Sequence, residues 1–519
     1  MPMTRLKTAL LIAVTIGLLP VPAQAFCGFY VGGDDTALYN NATMVVMMRE
    51  GTRTVLSMQN NYQGPPADFA MVVPVPVILQ KKNVKTLTNE VFDAVDRLAA
   101  PRLVEYWEED PCNPRPRYDE LPEVEEESLD ADADFSRKSE RDLGVKVEAK
   151  FSVAEYEIVI LSAKYSDGLD TWLREQRYNI PEGAEPLLRP YVTSGMKFFV
   201  AKVNADKVTF EGGQAVLSPL RFHYDSKQFN LPIRLGLMNS AGTQDLLVHI
   251  LSPDQRYEVA NYNNVTIPTN LEVNDRTRRD FGVFYASLFD ATMAKHPGSV
   301  ITEYAWQATS CDPCPPGSPM NPTQIATLGG DVLPSGVGQN YVLTRLHARY
   351  QKDALGEDLV FRTAGPIVGG REHRDDKGAI ERGARPGHIN NFQGRYIIRH
   401  PWTGPVTCEN PRRGIWGGPP DGAPIAAEPA EDIAFVKRTG DVQLASFLSD
   451  QVRANDFKAA APDTGTKFEA SGIQPPPPAG GCAGCRSDGA AGRSGVGAAF
   501  WGLLCALLLM RRRQSRSAR

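Results

Sequence analysis

Val145, Val147, Ala149, Phe151 and Val153 alternate without a break with Lys146, Glu148, Lys150 and Ser152. A period of two is satisfied by an extended strand with one buried face and by no helix. Apolar stretches at 198–203, 231–237, 246–251, 341–350 and 358–363 predict further strands, and 43–48 and 52–58 predict a hairpin turned at Glu50-Gly51. The apolar run 69–77 contains Pro74 and Pro76, which lack ladder donors, so an edge strand or bulge is expected. Helical spacing appears at 89–100, where Val91, Ala94, Val95 and Leu98 share a face before Pro101, and more briefly at 170–176. A longer helix is predicted over 275–294, with Phe281, Phe284, Tyr285 and Leu288 on one face and Asn274 as its cap, and a weaker one over 442–452. The fold class is therefore α+β, mostly antiparallel sheet with a few packed helices. A disordered proline-rich spacer and a C-terminal hydrophobic helix are expected to follow.

The two ends carry a different message. Arg5 and Lys7 precede an apolar stretch at 8–19, and Ala23-Gln24-Ala25 supplies the small residues of a secretory cleavage site after Ala25. Phe26 before Cys27 does not suit a lipoprotein signal. At the other end Cys482 and Cys485 precede an apolar run at 495–510 and then Arg511, Arg512 and Arg513. As a helix that run covers roughly 24 Å, short of a hydrocarbon core of about 30 Å. The arginines favour a cytoplasmic C-terminus with everything upstream outside.

Discounting both ends changes the charge. Removing Arg5 and Lys7, with the seven arginines and one aspartate after Cys485, leaves 47 basic and 60 acidic residues, a net −13 against −5 for the whole chain. So acidic a body argues against nucleic acid as a partner. Cys27, Cys112, Cys311, Cys314 and Cys408 remain, and outside the cytoplasm they are expected to be mostly paired. Cys27 with Cys112, and Cys408 with Cys311 or Cys314, is the expected arrangement.

The chain divides into a signal peptide (1–25), a first α+β part (26–117), an acidic linker (118–142) and a second α+β part of the same unit (143–405). A loop-rich and proline-rich spacer (406–481) and the cysteine motif, apolar stretch and arginine cluster (482–519) complete it. The linker's alternating Asp130, Asp132 and Asp134 do not make a calcium loop, because Phe135 and Arg141 stand where an EF-hand needs Gly and Glu. The Gln474-to-Pro478 run reads as an extended spacer.

No HExxH, GxSxG or strand-to-helix GxGxxG motif occurs. Residues 365–371 fail as a phosphate loop because Arg371 and Glu372 replace the Lys and the Ser or Thr, which leaves a glycine-rich turn. Cys311-Asp312-Pro313-Cys314 reads first as a structural disulfide, with redox and metal readings beside it. Cys311 and Cys314 are weak metal candidates, with His347, His373, His388 or His400 as further ligands. His249 and His347 fall inside strands and read as hydrogen-bonded sheet residues. The 371–413 stretch, with Tyr396 and Trp402, reads first as solvated loop and second as a carbohydrate-binding or catalytic surface.

Two resemblances extend this reading. The tail resembles the MYXO-CTERM type of sorting signal, which implies removal of the helix near Cys482 or Cys485 and retention at the surface through a lipid on that cysteine. The body is similar to a bacterial family of exported proteins known as domain of unknown function number twenty-three thirty. That similarity is carried by Phe26-Cys27-Gly28-Phe29-Tyr30-Val31, Asn60-Asn61-Tyr62-Gln63-Gly64, Phe69-Ala70-Met71-Val72-Val73-Pro74-Val75-Pro76, Cys311-Asp312-Pro313-Cys314 and the 341–350 strand. It implies an envelope setting and supplies no catalytic residue and no cofactor.

The expectation is an exported, surface-anchored protein of the bacterial cell envelope, binding or structural and without catalysis. The membrane would be met through the anchor or its lipid, and a protein or polysaccharide of the envelope would be the partner. An extracytoplasmic hydrolase or thiol-redox enzyme with a noncontiguous site is the alternative.

Overall fold

A computed structural model describes residues 29–31, 42–59, 70–113, 143–176, 178, 180, 183–211, 214–239, 243–315, 317–351, 357–371, 381–421, 427–429 and 444–449. Among them the architecture is α+β, with antiparallel pairing dominant, in two stacked sheets covered by helices on both outer faces.

The larger sheet has eleven strands. Its centre runs Val300–Gln307, Tyr341–Gln351, Thr243–Pro253, Ala42–Glu50, Arg53–Met58 and Leu220–Asp225. All neighbours there are antiparallel except Thr243–Pro253 with Ala42–Glu50. Met44, Val46 and Met48 point to one apolar cluster and Val45 and Met47 to another. Burial on both faces is why this strand reads as a continuous apolar run rather than an alternating one. Gly51 turns the predicted hairpin at φ +54°, a left-handed conformation that glycine adopts without steric cost.

The second sheet orders Phe29–Val31, Ala70–Val75, Lys197–Val203, Tyr156–Ala163 and Val145–Val153, all antiparallel. Met71, Val73, Ile158, Ile160 and Phe199 meet Val45, Met47, Leu56 and Met58 of the larger sheet in one core. Helices Ser166–Glu175 and Glu185–Thr193 cover the outer face through Leu169, Leu173, Leu188 and Tyr191. On the far side of the larger sheet, Glu90–Ala99 packs through Val91, Phe92, Val95 and Leu98, and Phe281–Lys295 through Phe284, Tyr285, Leu288 and Phe289. A third sheet centres on Arg102–Glu108, paired in parallel with Arg395–His400 and antiparallel with Trp416–Gly417 and Ala427–Pro429. Strands from before residue 113 and after residue 143 thus share each of these three sheets, and two small sheets of two and three strands complete the described residues.

Several expectations need correction. Ala70–Val75 is an interior strand, not an edge; Pro74 is accommodated because the three-residue neighbour Phe29–Val31 reaches only Ala70 to Val72. The predicted 231–237 strand is two strand residues, Asn230–Leu231, followed by the 3-10 turn Arg234–Asn239. There Asp358 Oδ1 accepts from the amides of Ile233 (2.9 Å) and Arg234 (3.3 Å), fixing a turn where Pro232 already interrupts the ladder. The 275–294 helix is a 3-10 turn, Asp275–Arg278, then the α-helix Phe281–Lys295. Asn274 makes no side-chain cap; its Nδ2 donates instead to Ser446 O at 2.8 Å. Of the predicted 442–452 helix, the described residues show a 3-10 turn, Leu444–Ser446.

Among the described residues no helix is long and apolar enough to cross a membrane. The apolar run at 495–510, the Gln474-to-Pro478 run, the acidic linker, Ala25, Cys27, Cys482 and Cys485 all lie outside the described residues, whereas the first part of the predicted spacer, 406–421, 427–429 and 444–449, is described and contributes two short strands and a 3-10 turn.

Candidate functional site

Two assemblies of polar side chains stand out, one sealed inside the protein and one open to solvent. The sealed assembly lies where the three central strands meet the helix Phe281–Lys295. Glu303, Arg345 and His347 are each fully buried. His347 presents Nδ1 to Glu303 Oε1 at 2.6 Å and Nε2 to Asp245 Oδ1 at 3.0 Å. Arg345 Nε donates to Glu303 Oε2 at 2.6 Å, and its other arm meets Asp96 of the helix Glu90–Ala99. The Tyr285 hydroxyl donates to Glu303 Oε1 at 2.5 Å. Arg349 grips Asp245 with two bonds of 2.8 and 2.9 Å and also meets Asp290. Phe289 lies flat on the imidazole, ring centroids 3.8 Å apart.

A neutral imidazole has one donor, whereas both ring nitrogens of His347 face carboxylate oxygens; the geometry therefore calls for the imidazolium. Burial works against that charge, but Glu303 and the hydrogen bonds to Asp245 and Glu303 outweigh it and raise the pKa above its ordinary value. Burial likewise works against the Glu303 carboxylate, yet the charges of His347 and Arg345 pull its pKa down to about 2. Nearby His249 goes the other way: burial, reinforced by the Arg345 charge, holds it well below the ordinary value and neutral. This network ties two helices to three strands, and its sealed carboxylates and imidazole face each other rather than solvent.

The open assembly is a cleft of about 1140 Å³. Asp312, from the Cys311–Cys314 turn, forms one wall with Arg371, and the pair is ion-bonded. Arg385, paired to Glu381 at 3.4 Å, and His388 also line the cleft. Tyr106 and Trp416 of the third sheet also line it, Tyr106 buried under Arg395 at 5.3 Å from its ring and Trp416 partly exposed with Arg399 over its ring at 4.8 Å. Gly369 and Gly370 have φ of +156° and +83°. A Cβ at Gly370 would collide with the Gln393 carbonyl oxygen, so the glycine-rich stretch is a turn that brings Arg371 to the wall.

The cysteines pair otherwise than expected: Cys112 with Cys408, and Cys311 with Cys314. The parallel pairing of Arg102–Glu108 with Arg395–His400 carries the chains that follow them in one direction, and Arg412 N donates to Pro111 O at 2.8 Å beside the bond. Sheet topology selected the partner where spacing along the chain could not. Bonded to each other, Cys311 and Cys314 offer no thiolate to a metal in this state. The candidate histidines do not gather around them: His347 is in the sealed network, His388 lines the cleft, and His400 binds Glu105 at 2.6 Å and stacks on Trp107. His373 lies outside the described residues. Among the described residues no group of three or more His, Cys, Asp or Glu is placed to hold a metal.

The 371–413 stretch, read first as solvated loop, instead contributes strands and most of the cleft's charged lining. Sequence reasoning did not find Asp96, Asp245, Glu303 or Arg345. The available signal was a charge inside an apolar run, as at Glu303 between Val300 and Trp306.

No curated protein and no solved structure matches the chain. Residues 21–362 match the family DUF2330, described as an uncharacterized protein conserved in bacteria. The sealed network falls wholly inside that match, whereas the cleft takes Arg371, Arg385, His388, Arg395 and Trp416 from beyond it. With most of its length covered, the chain belongs to the DUF2330 family of uncharacterized bacterial proteins.

Proposed function

We propose that the chain is an exported protein held at the outer surface of the bacterial envelope, where its cleft binds an acidic saccharide without catalysis. The supporting observation is the lining itself. In a chain of net charge −5, the half-exposed Arg371 and Arg385 gather with His388 and the partly exposed Trp416 around one cleft. Guanidinium forks match carboxylates, and aromatic rings offer flat apolar faces to sugars. The existing partners do not block this use. The Arg371–Asp312 pair is about half exposed on both sides, 54% and 49%, and exposed pairs are worth about 0–1 kcal/mol, so a ligand carboxylate competes with them. Export and anchoring are supported by the cleavage pattern ending at Ala25, the cysteine, apolar and arginine segments of the tail, and the two disulfides.

Calorimetric titration of the full-length chain with an oligogalacturonate and with a neutral oligosaccharide tests the reading. Binding of the acidic sugar alone, weakened about tenfold or more in an Arg371→Ala/Arg385→Ala variant and by added salt, is expected. Equal binding of both sugars, or none, overturns it.

A further inference from the structure

The second disulfide carries an inference that stands apart from whatever the cleft binds. By the loop-entropy relation, closing so short a loop contributes only about 2 kcal/mol, against about 6 for a closure of roughly 300 residues. The Cys311–Cys314 turn is also held by contacts that do not involve sulfur. Arg102 Nη1 donates to Pro313 O at 2.8 Å, Gln393 Nε2 donates to Asp312 O at 2.7 Å, and Arg371 pairs with the Asp312 carboxylate. Downstream, Met320 N returns to Ala308 O at 3.0 Å. Opening the S–S bond therefore leaves both sulfurs close and free to close again.

The two cysteines differ in exposure. Cys314 is exposed, while Cys311 is partly buried against the cluster containing Trp306, Met320 and Leu333. An incoming thiolate reaches the outer sulfur first. The buried Arg102 guanidinium, bonded to the peptide between the two cysteines, places a fixed positive charge in the turn. That charge favours a thiolate over a thiol, the role a helix N-terminus plays in other CxxC sites.

We propose that Cys311–Cys314 is a reversible thiol–disulfide exchange site in the turn whose Asp312 lines the cleft, opened by a thiol that attacks Cys314. The attacking thiolate forms a new S–S bond to Cys314, and the Cys311 sulfur leaves with the electron pair as a thiolate. A second thiol then attacks the attacker's own sulfur and releases Cys314. The sum is two thiols oxidised to one disulfide and the protein disulfide reduced to two thiols, two electrons having passed to it. The reverse reaction with an external disulfide restores the bond.

The test uses the full-length chain in glutathione redox buffers, and in parallel with a reduced dithiol protein such as thioredoxin, quenched in acid, alkylated and mapped by mass spectrometry. Cys311 and Cys314 are expected to be labelled together while Cys112–Cys408 stays bonded and the far-ultraviolet circular dichroism is unchanged. The buffer in which labelling occurs identifies a small thiol or a protein thiol as the partner. Cys311→Ser, which leaves the outer sulfur free, is expected to take up glutathione from its disulfide at least about tenfold faster than Cys314→Ser. A Cys311–Cys314 bond that resists both reductants until the chain unfolds overturns the proposal. So do equal rates in the two single variants.

Discussion

His347 Nδ1 and Glu303 Oε1 lie 2.6 Å apart on adjacent strands with neither side chain exposed to solvent. The second nitrogen of the same ring is 3.0 Å from Asp245. Four carboxylates (Asp96, Asp245, Asp290 and Glu303) meet two guanidiniums (Arg345 and Arg349), and the imidazolium supplies a third positive charge where both ring nitrogens face carboxylate oxygens. The interior of this protein thus holds a proton, and its stability follows that proton.

The pH dependence has two limbs. His347 has a folded pKa above its ordinary 6.5, so its contribution is complete below about 6.5 and is lost as pH rises through the folded value. Glu303, lowered from 4.5 to about 2, contributes fully above 4.5 and loses that contribution as pH falls toward 2. Scanning calorimetry of the full-length chain is expected to show a plateau in thermal midpoint between the two limbs, and His347→Gln is expected to flatten the alkaline one.

Removing one partner should cost more than removing its charge suggests. Glu303→Gln leaves Arg345 and His347 buried with too little negative charge, and a broken buried pair costs about 3–5 kcal/mol. Urea unfolding is expected to show a loss of that order. A Glu303→Gln/His347→Gln double variant is expected to lose less than the sum of the two single changes.

Gly370→Ala meets two obstacles at once, a φ of +83° and the Gln393 carbonyl. A destabilisation of about 1–3 kcal/mol is expected from the backbone conformation alone. Because Arg371 follows directly, the same change is expected to weaken ligand binding in the cleft, measured by titration beside unfolding.

The two disulfides should separate in their thermodynamic weight. Replacing Cys112 and Cys408 with serine opens a closure of 296 residues and is expected to cost about 2–5 kcal/mol, with the Cys311/Cys314 double replacement nearer 2 or below. Denaturant titration of the two double variants side by side reads the difference.

What the sequence made legible was periodicity. The Glu90–Ala99 helix ended by Pro101 follows from side-chain spacing, and the 43–58 hairpin from two apolar runs flanking Glu50-Gly51. The Val145–Val153 strand is present, but its alternation does not keep one buried face: a bulge after Val147 turns Val145 and Val147 to one apolar cluster and Ala149, Phe151 and Val153 to the other. Arg102–Glu108 and Arg395–His400 were not predicted, because Arg102, Glu105, Glu108 and Arg395 mask their apolar neighbours and find partners only across the fold: Leu98 and Pro313 carbonyls, Arg278, Arg413 and Tyr106 respectively. The network was hidden for the same reason, since Asp96, Asp245, Glu303 and Arg345 come from one helix and three strands. The cleft draws on Tyr106, Asp312, Arg371 and Trp416, and no local pattern joins those positions.

The Cys112–Cys408 bond has one more effect. It turns 296 residues of chain into a covalent ring. A protease that severs any single peptide bond between those cysteines produces a nicked molecule and not two fragments, and the cut ends stay tethered on one scaffold. A scission there becomes damage the fold can outlive.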